Sequence, residues 1–310
     1  MTLQQLEYIV ALDEEKNFVR ASQRCNVTQP TLTMQVKKLE NEIGFRIFDR
    51  TKKPLGTTSL GDHFVARARQ LLSGVNDMKV MVQGEIESVK GDFRLGIIPT
   101  LAPYLLPLFL PDITERYPET HLIIEELQSG EIIDRLKNNL LDLGLLASPL
   151  YEKQIREISI FYEPFLLYLP VNDPLLKVDE ITPEVLHPDH LLLLAEGHCF
   201  RSQALNLCHV GRKRKDRRFT YSSGSIEALK GLVDKRMGYT LVPELSVSHE
   251  LKVKPSIRRF AKPEPSREIC LACHVAFSRE KLIEIIRDSI QKHLPYNLKR
   301  SRNFIRIRWQ

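Results

Sequence analysis

Two cysteines nine positions apart, Cys199 and Cys208, are the residues of this sequence best suited to chemistry. They lie in the stretch EGHCFRSQALNLCHVG, in which no proline or glycine separates them, and this pattern is typical of one helix. Three roles are open for such a pair: packing in the core, binding a metal, or thiol redox chemistry. The chain holds five cysteines, and an odd number does not suit a framework of paired disulfides.

A metal site is the least favoured of these roles. His198 and His209 accompany the two thiols, but their spacing matches no zinc pattern. A second close pair, Cys270 and Cys273, lies in the apolar segment REICLACHVAF. That segment predicts a strand, on which residues three apart face opposite sides. We therefore expect these two thiols to be packed in the core, as is Cys25 at the end of an apolar stripe, and we predict no metal and no cofactor.

Redox chemistry accounts best for Cys199. A predicted strand and Gly197 precede it, which places the cysteine at or near a helix N-terminus, where the dipole and free N–H groups stabilise a thiolate. A thiolate that attacks peroxide becomes a sulfenic acid, and Cys208 is the natural second thiol to form a disulfide with it. Cysteines at the two ends of such a helix are about 13.5 Å apart, whereas a disulfide needs Cα atoms roughly 5.5–6 Å apart. Closing the bridge therefore requires the helix to unwind.

The composition is that of a globular protein with more than one domain. At 310 residues the chain is about twice the length of a typical domain. The opening MTLQQLEYIV has no signal-peptide pattern, and no apolar run reaches the roughly 18 residues of a membrane span. We therefore expect a cytoplasmic protein with no membrane contact. The net charge of +6 is compatible with binding nucleic acid.

The first sixty residues predict a reader of double-stranded DNA. Two helices joined by a tight turn form a helix-turn-helix, and the second helix begins in TQPTLTMQVKKLENEIG with Thr28 as N-cap. That end enters the major groove, and the basic, turn-rich DRTKKPLGTTSLG predicts a wing over the backbone. An ordinary helical hairpin with a polar surface is the alternative. The base-edge and phosphate candidates are Thr28, Gln29, Thr31, Gln35, Lys37, Arg50, Lys52 and Lys53.

A long helix follows, predicted over about residues 60–88. Its apolar positions have the spacing of a coiled-coil seam: Phe64, Ala68, Leu71, Val75, Met78 and Val82. The seam predicts a homodimer that places two recognition helices on one operator. A helix of this kind packed on its own domain is the alternative.

Beyond Gly91 short strands alternate with helices, which predicts an α/β domain with mostly parallel sheets. Strands are expected at 93–98, 121–125, 141–147, 164–169, 190–195, 219–222, 239–242 and 268–277, and helices at 105–116, 131–138, 225–235 and 278–293.

The stretch NFVRASQRCNVTQPTLTMQVKKLENEIGFRIFDR resembles the winged helix-turn-helix of LysR-type regulators almost position by position. The resemblance implies a DNA-binding domain at 1–61, a linker helix at 62–90 and a regulatory domain at 91–310 that is periplasmic-binding-protein-like. Its two subdomains would be 91–161 with 268–310, and 162–267. The family further implies a dimer of dimers and contact with RNA polymerase.

The segment GHCFRSQALNLC is similar to the thiol segment of the LysR-type members that activate hydrogen-peroxide defence, and GIIPTLAPYLLP, YTLVPEL and KPEP agree with this. The resemblance implies that Cys199 reacts with peroxide, that Cys208 resolves it, and that the pocket contains Thr100, Ser129, His198 and Arg267. Ser129 stands where the family usually has threonine. The basic runs GRKRKDRR (211–218) and LKRSRNFIRIRWQ depart from the family and are expected to be solvated surface.

The leading hypothesis is therefore a transcription regulator of oxidative-stress genes rather than an enzyme. One alternative is a LysR-type regulator that senses a small metabolite and keeps its cysteines for packing. The other is a thiol peroxidase.

Overall fold

The computed structural model describes residues 1–82, 89–208, 224–251, 253–299 and 303–308. The expected strand at 219–222, the basic run at 211–218 and His209 lie outside the described residues. The chain forms two compact units, residues 1–87 with 138–140, and residues 88–137 with 141–310. Within the described ranges, no helix is both long and apolar enough to cross a membrane.

The first unit contains three short helices and a small wing. Side chains cap all three helices, because Thr2, Asn17 and Thr28 accept hydrogen bonds from backbone N–H groups of the first turn. Gly44 ends the third helix with φ 81°, a conformation that glycine adopts without strain. The elements are α1 (Leu3–Glu15), α2 (Phe18–Arg24), α3 (Gln29–Ile43), and the antiparallel pair β1 (Phe48–Asp49) and β2 (Gly56–Thr57).

The two halves of the long helix α4 (Ser59–Val82) differ in burial. Val65 and Ala68 are buried in the core of the first unit, and Arg69 forms an ion pair with Asp13 of α1. Leu71 and Met78, in contrast, are 55% and 67% exposed. The first half of the helix therefore packs on its own domain, and the second half presents apolar side chains to solvent. The predicted end near residue 88 lies outside the described part.

The second unit is built around one sheet of nine strands in the order β4-β3-β5-β10-β6-β8-β7, with β11 paired to β10 and β9 to β6. The prediction of mostly parallel pairing is wrong: four of the eight described pairings are antiparallel. The strands are β3 (Gly91–Ile97), β4 (Thr120–Glu126), β5 (Leu143–Ser148), β6 (Ile155–Tyr168), β7 (Leu191–Leu192), β8 (Tyr239–Pro243), β9 (Ile257–Arg259), β10 (Glu264–His274) and β11 (Phe304–Arg306).

Two hydrophobic cores lie along this sheet, and the long strand β6 passes from one to the other. Phe161 belongs to the first core and Phe165 to the second. The expected subdomain boundaries, 161/162 and 267/268, fall inside β6 and β10. The first core is covered by α5 (Ala102–Arg116), α6 (Ser129–Lys137) and α9 (Glu280–His293), and the second by α7 (Cys199–Leu207) and α8 (Ile226–Asp234); α10 (Tyr296–Lys299) follows α9.

The four predicted helices of this unit are confirmed, but strand ends differ from the prediction. The expected strand at 190–195 shortens to Leu191–Leu192, because only these two residues pair with β8. The expected start at Pro164 lies well inside β6. Proline is tolerated there because the pairing of β6 with β10 ends at Pro164 and its pairing with β8 begins at Phe165.

Candidate functional site

Helix α7 carries one candidate redox cysteine at each end. Cys199 is its first residue and Cys208 its C-cap, and the residues between them are helical as predicted. His198 is the N-cap residue and supplies no side-chain capping bond. The first-turn N–H groups of α7 are therefore not capped by His198, and they are oriented towards the end of the helix that carries Cys199.

The two thiols are buried in different cores. Cys199 is 4% exposed and packs in the first core, whereas Cys208 is 5% exposed and packs in the second. Neither is in a disulfide. The helix between them has nine residues and a rise of about 13.5 Å, so the sulfurs cannot bond while α7 is intact.

A buried arginine network lies next to the start of α7. The Arg267 guanidinium donates from Nη1 to Thr100 Oγ1 at 2.8 Å and from Nη2 to the Thr100 carbonyl at 3.1 Å. It also pairs with Glu163, at 2.9 Å from Nε and 2.7 Å from Nη2. Its central carbon lies 5.3 Å from the ring centre of Phe200, the residue after Cys199. The structure therefore brings Thr100 and Arg267 together beside the cysteine's neighbour.

Glu163 is a member of this network that the sequence analysis missed. Both Glu163 and Arg267 are fully buried, and the second carboxylate oxygen of Glu163 accepts a hydrogen bond from the Leu245 N–H at 2.9 Å. Burial raises the pKa of the Glu163 carboxyl, while Arg267 and the Leu245 N–H favour its charged form. The available signal was a single carboxylate in the apolar run FYEPFLLY, which requires a partner if it is buried.

Ser129 and the loop before Cys199 come together through their chain neighbours. Ser129 is the first residue of α6, is 2% exposed, and its Oγ has no hydrogen-bond partner among the described residues. Gln128, just before it, lies so close to Gly197 that a Cβ there would be 2.2 Å from Gln128 Oε1. Gly197 also has φ 92°, so both space and backbone conformation require glycine at this position.

His198 is buried at the same loop. Burial lowers the pKa of the His198 imidazole below its ordinary value, so the ring is neutral near neutral pH. A neutral imidazole offers one donor and one acceptor nitrogen, and Gly224 approaches its Nε2 closely enough that a Cβ at that position would be 3.0 Å away.

The remaining three cysteines are packed thiols. Cys270 and Cys273 are fully buried on β10, and burial raises the pKa of both, most strongly for Cys270. Cys25, expected to be buried, is half-buried as the C-cap of α2, and burial raises its pKa as well. No group of three or more potential metal ligands occurs in the part of the chain that the structure describes.

The N-terminal end of α3 carries the expected base-edge candidates. Thr28 Oγ1 caps the helix by accepting from the Thr31 N–H, and the two hydroxyls lie 2.8 Å apart. Gln29 is exposed in the first turn. Gln35 is less available than the sequence indicates, because its Oε1 accepts a hydrogen bond from Gln5 of α1 at 3.1 Å.

The expected phosphate contacts lie on exposed parts of the same unit. Lys52 and Lys53 are exposed between the two wing strands. Arg50 is exposed but bonded to the buried Glu40 at 3.3 Å. Arg46, which the sequence analysis missed, lines a cavity with Arg50 and Lys37 just after α3 ends. The signal for it was a basic residue two positions after the helix-ending Gly44.

Comparisons with known proteins agree with this architecture. Residues 3–62 match the bacterial regulatory helix-turn-helix protein, lysR family, and residues 87–295 match the LysR substrate binding domain. The chain is 32% identical over 302 residues to the "Hydrogen peroxide-inducible genes activator" of Dickeya chrysanthemi, covering 97% of this chain and 98% of that protein.

Two solved structures show the same likeness. Full-length OxyR of Pseudomonas aeruginosa, a cysteine-to-aspartate variant, is 34% identical with a TM-score of 0.82, covering 94% of this chain and 95% of that one. A cysteine-to-serine mutant of Corynebacterium glutamicum OxyR with hydrogen peroxide bound is 26% identical with a TM-score of 0.60, covering 94% and 92%. The chain is therefore similar to OxyR proteins and belongs to the LysR family of DNA-binding transcription regulators.

Proposed function

We propose that this LysR-type regulator senses hydrogen peroxide through Cys199 and Cys208 and so switches transcription of oxidative-stress genes. The observation that carries the proposal is the placement of the two thiols at opposite ends of one nine-residue helix, each packed in a different core. Two cysteines held in this way remain free thiols and form a disulfide only when the helix between them unwinds. The names of the similar proteins supply the oxidant, hydrogen peroxide.

The chemistry takes place in two balanced steps. The Cys199 thiolate attacks one peroxide oxygen, an S–O bond forms, the O–O bond breaks, and the hydroxide released takes up a proton to become water. The Cys208 sulfur then attacks the sulfenic sulfur, an S–S bond forms and the S–O bond breaks. The second hydroxide leaves as water with the proton of the Cys208 thiol. The two thiols lose two electrons in total, and peroxide gains them.

The pocket residues position the peroxide. Thr100 and Arg267 are held together by their hydrogen bond, and Glu163 fixes the guanidinium from the other side. Ser129 contributes a buried hydroxyl that has no bonding partner among the described residues, and His198 contributes a neutral imidazole beside Cys199. Donors oriented towards a developing hydroxide stabilise it as the O–O bond breaks.

The switch is a consequence of the helix geometry. Joining the two sulfurs removes the helical turns between them and takes at least one thiol out of its core. The packing of two cores against one sheet then has two discrete arrangements, with the disulfide as a covalent lock on one of them.

We propose that the protein acts on promoter DNA in the cytoplasm as a homodimer, and as a dimer of dimers at its operator, in contact with RNA polymerase. The exposed Leu71 and Met78 on α4 support self-association, because a partner helix would cover them. Gln29 and Thr31 are the leading candidates for base edges, and Lys37, Arg50, Lys52 and Lys53 for phosphates.

The decisive experiment maps disulfides by mass after stoichiometric peroxide and footprints the operator with each form. We expect one Cys199–Cys208 bridge per chain and an altered footprint. A complete bridge with unchanged operator contacts, or no bridge at all, contradicts the proposal. Continuous peroxide consumption with thioredoxin would instead identify a thiol peroxidase, and a response to a small metabolite with Cys199 alkylated would identify a metabolite sensor.

The DNA contacts divide by type in a second experiment. Gln29→Ala should weaken binding to the operator by about 1–3 kcal/mol and hardly affect random DNA, because it reads a base edge. Lys52→Ala, or the matched Lys53→Ala, should weaken both alike and reduce the salt slope by roughly one phosphate each. Equal losses on both DNAs for Gln29→Ala would remove it from the base-reading residues.

A further inference from the structure

A segment beyond the matched LysR domain adds a strand to the sheet. The family match ends at residue 295, whereas β11 pairs in parallel with β10 from Glu264↔Phe304 to Ser266↔Arg306. The Ile307 N–H continues the pairing by donating to the Ser266 carbonyl at 2.9 Å. The segment 303–308 is therefore attached to the strand that carries Arg267, one residue beyond Ser266.

Side chains fix this segment as well as its backbone. Phe304 stacks on Tyr162 of β6, with ring centres 3.9 Å apart. Arg306 forms an ion pair with Glu268 at 2.9 Å and donates to Ser148 Oγ at 2.8 Å. These contacts attach the segment to β5, β6 and β10.

The backbone of the same segment also binds α7, the helix between the two candidate redox cysteines. Gln203 Nε2 donates to the Ile307 carbonyl at 2.9 Å, and Asn206 Nδ2 donates to the Arg308 carbonyl at 2.9 Å. Gln203 is fully buried. The two amides are three residues apart, so they share one face of α7, and they bind the carbonyls of two consecutive residues of the segment.

We propose that segment 303–308 is a clamp that holds α7 helical in the reduced protein, with Gln203 and Asn206 as positioning residues that bind α7 to the segment and slow disulfide formation. This inference rests on the proposed function. Both clamped residues lie between Cys199 and Cys208, in the turns that must unwind before the sulfurs meet. The clamp therefore sets how quickly Cys208 reaches the oxidised Cys199.

The clamp acts on only one of the two steps. Peroxide attack on Cys199 takes place at the first residue of the intact helix and needs no unwinding. Resolution by Cys208 requires both amide–carbonyl bonds to break. Weakening the clamp therefore speeds resolution and leaves the first oxidation step unchanged.

Asn206→Ala separates the clamp from ordinary helix stability. Alanine is a better helix former than asparagine, so a purely local role for Asn206 predicts a more stable helix and slower resolution. Loss of the bond to the Arg308 carbonyl predicts the opposite. Ser202→Ala is the matched control, because it raises helix propensity on α7 at a residue that forms no described hydrogen bond to segment 303–308.

Phe304→Ala tests the clamp without changing α7. It removes the stacking on Tyr162 and loosens the segment from the sheet. Phe304→Ala and Asn206→Ala weaken the same clamp. The double variant should therefore speed resolution by less than the product of the two single increases.

The experiment uses the full chain and two readouts. Hydrogen exchange of α7 is measured in the reduced protein, and rapid-quench mass spectrometry follows the sulfenic acid and then the disulfide after added peroxide. We expect Asn206→Ala and Phe304→Ala to speed both α7 exchange and resolution about three- to ten-fold, with Ser202→Ala equal to or slower than wild type. The rate of Cys199 oxidation should stay the same in all four proteins.

Two results overturn the clamp: Asn206→Ala and Ser202→Ala changing α7 exchange in the same direction, or Phe304→Ala leaving it unchanged. Exchange in the reduced protein needs no peroxide, so this judgement holds whatever peroxide does. Failure of the wild type to form a Cys199–Cys208 disulfide would instead contradict the proposed function.

Discussion

Two pairs of thiols lie in the same unit and are almost equally buried, yet the chain holds them in different ways. Cys270 and Cys273 are 0% exposed and lie on β10, in one core, with a paired strand on each side. Cys199 and Cys208, 4% and 5% exposed, terminate a short helix and lie in two cores. Burial alone therefore does not identify a redox pair.

The difference lies in what must open to release each pair. Freeing β10 breaks the ladders to β5 and β6 at the centre of the sheet, which amounts to unfolding the unit. Unwinding α7 breaks the backbone hydrogen bonds within one helix and the two hydrogen bonds from its side-chain amides to segment 303–308. We therefore expect a close CxxC pair to be inert where its strand is fixed in the sheet, and a distant pair to react where the helix between the two thiols can unwind.

The largest expected effect comes from substituting single cysteines in each of the two pairs. Cys199→Ser and Cys208→Ser should each abolish the Cys199–Cys208 bridge and keep the operator footprint of the reduced form under peroxide. Cys270→Ala and Cys273→Ala should keep the full response and lose only about 1–2 kcal/mol of stability, because they leave small cavities. Footprinting each variant with and without peroxide is the measurement. A response lost in Cys270→Ala at normal stability would erase the distinction between the pairs.

Strand β10 also carries Arg267, whose guanidinium lies beside Phe200 of α7. We therefore expect β10 to influence the oxidation of Cys199 through this buried charge and not through its own thiols. Glu163→Gln leaves the Arg267 guanidinium without its charged partner and should destabilise the unit by about 3–5 kcal/mol, measured by urea unfolding. The double variant Glu163→Leu with Arg267→Met removes both charges and should recover most of this stability.

The same double variant separates folding from function. We expect it to fold but to lose rapid oxidation of Cys199, followed by quenched mass spectrometry. Wild-type oxidation in the stable double variant would show that the arginine network serves packing alone.

Alkylation compares the two pairs directly in the reduced protein. With iodoacetamide at about pH 6, Cys199 should be modified first, about a hundred-fold faster than Cys270 or Cys273, because it lies at the end of α7 and not inside a paired strand, and because burial raises the pKa of the strand thiols. Peptide mass mapping over time gives the ratio. Cys25, half-buried and also with a raised pKa, is the internal reference for exposure. Equal rates at Cys199 and Cys270 would contradict the idea that the element decides reactivity.

The sequence predicts what is local and misses what depends on long-range pairing. The caps Thr28 and Gly44, the helix from Cys199 and the apolar setting of Cys270 follow from neighbouring residues, and the structure contains all of them. The Glu163–Arg267 pair joins residues 104 positions apart through β6 and β10, and no local pattern sets that register.

The clamp on α7 was missed for the same reason. Gln203 and Ile307 are also 104 positions apart, and the basic character of the surrounding LKRSRNFIRIRWQ indicates solvated surface. Ile305 and Ile307, which alternate with Arg306 and Arg308, were the weak signal for an edge strand. The antiparallel pairing of β10 with β5 and β6 was missed because hydrophobic periodicity indicates that a strand exists but not the direction in which it pairs.

The smallest expected effect compares two histidines, the buried His198 and the half-buried His274, one beside each pair of thiols. His198 precedes Cys199 and His274 follows Cys273, and burial lowers the pKa of both below the ordinary 6.5. Below pH 6.5 the opened loop takes up a proton on His198 that the closed loop does not. The closed form is therefore fully stable above that pH and loses stability as the pH falls towards the folded pKa.

We expect hydrogen exchange of α7, corrected for the intrinsic rate, to rise a few-fold between about pH 7.5 and pH 5.5. His198→Gln should remove this pH dependence, because glutamine keeps a donor and an acceptor but does not titrate. His274→Gln is the matched control and should leave it intact, since protonation of His274 at the end of β10 acts on a strand that opens only with the whole unit. If His274→Gln flattens the α7 profile and His198→Gln does not, opening of the redox helix is coupled to the sheet, and the two pairs of thiols are not independent.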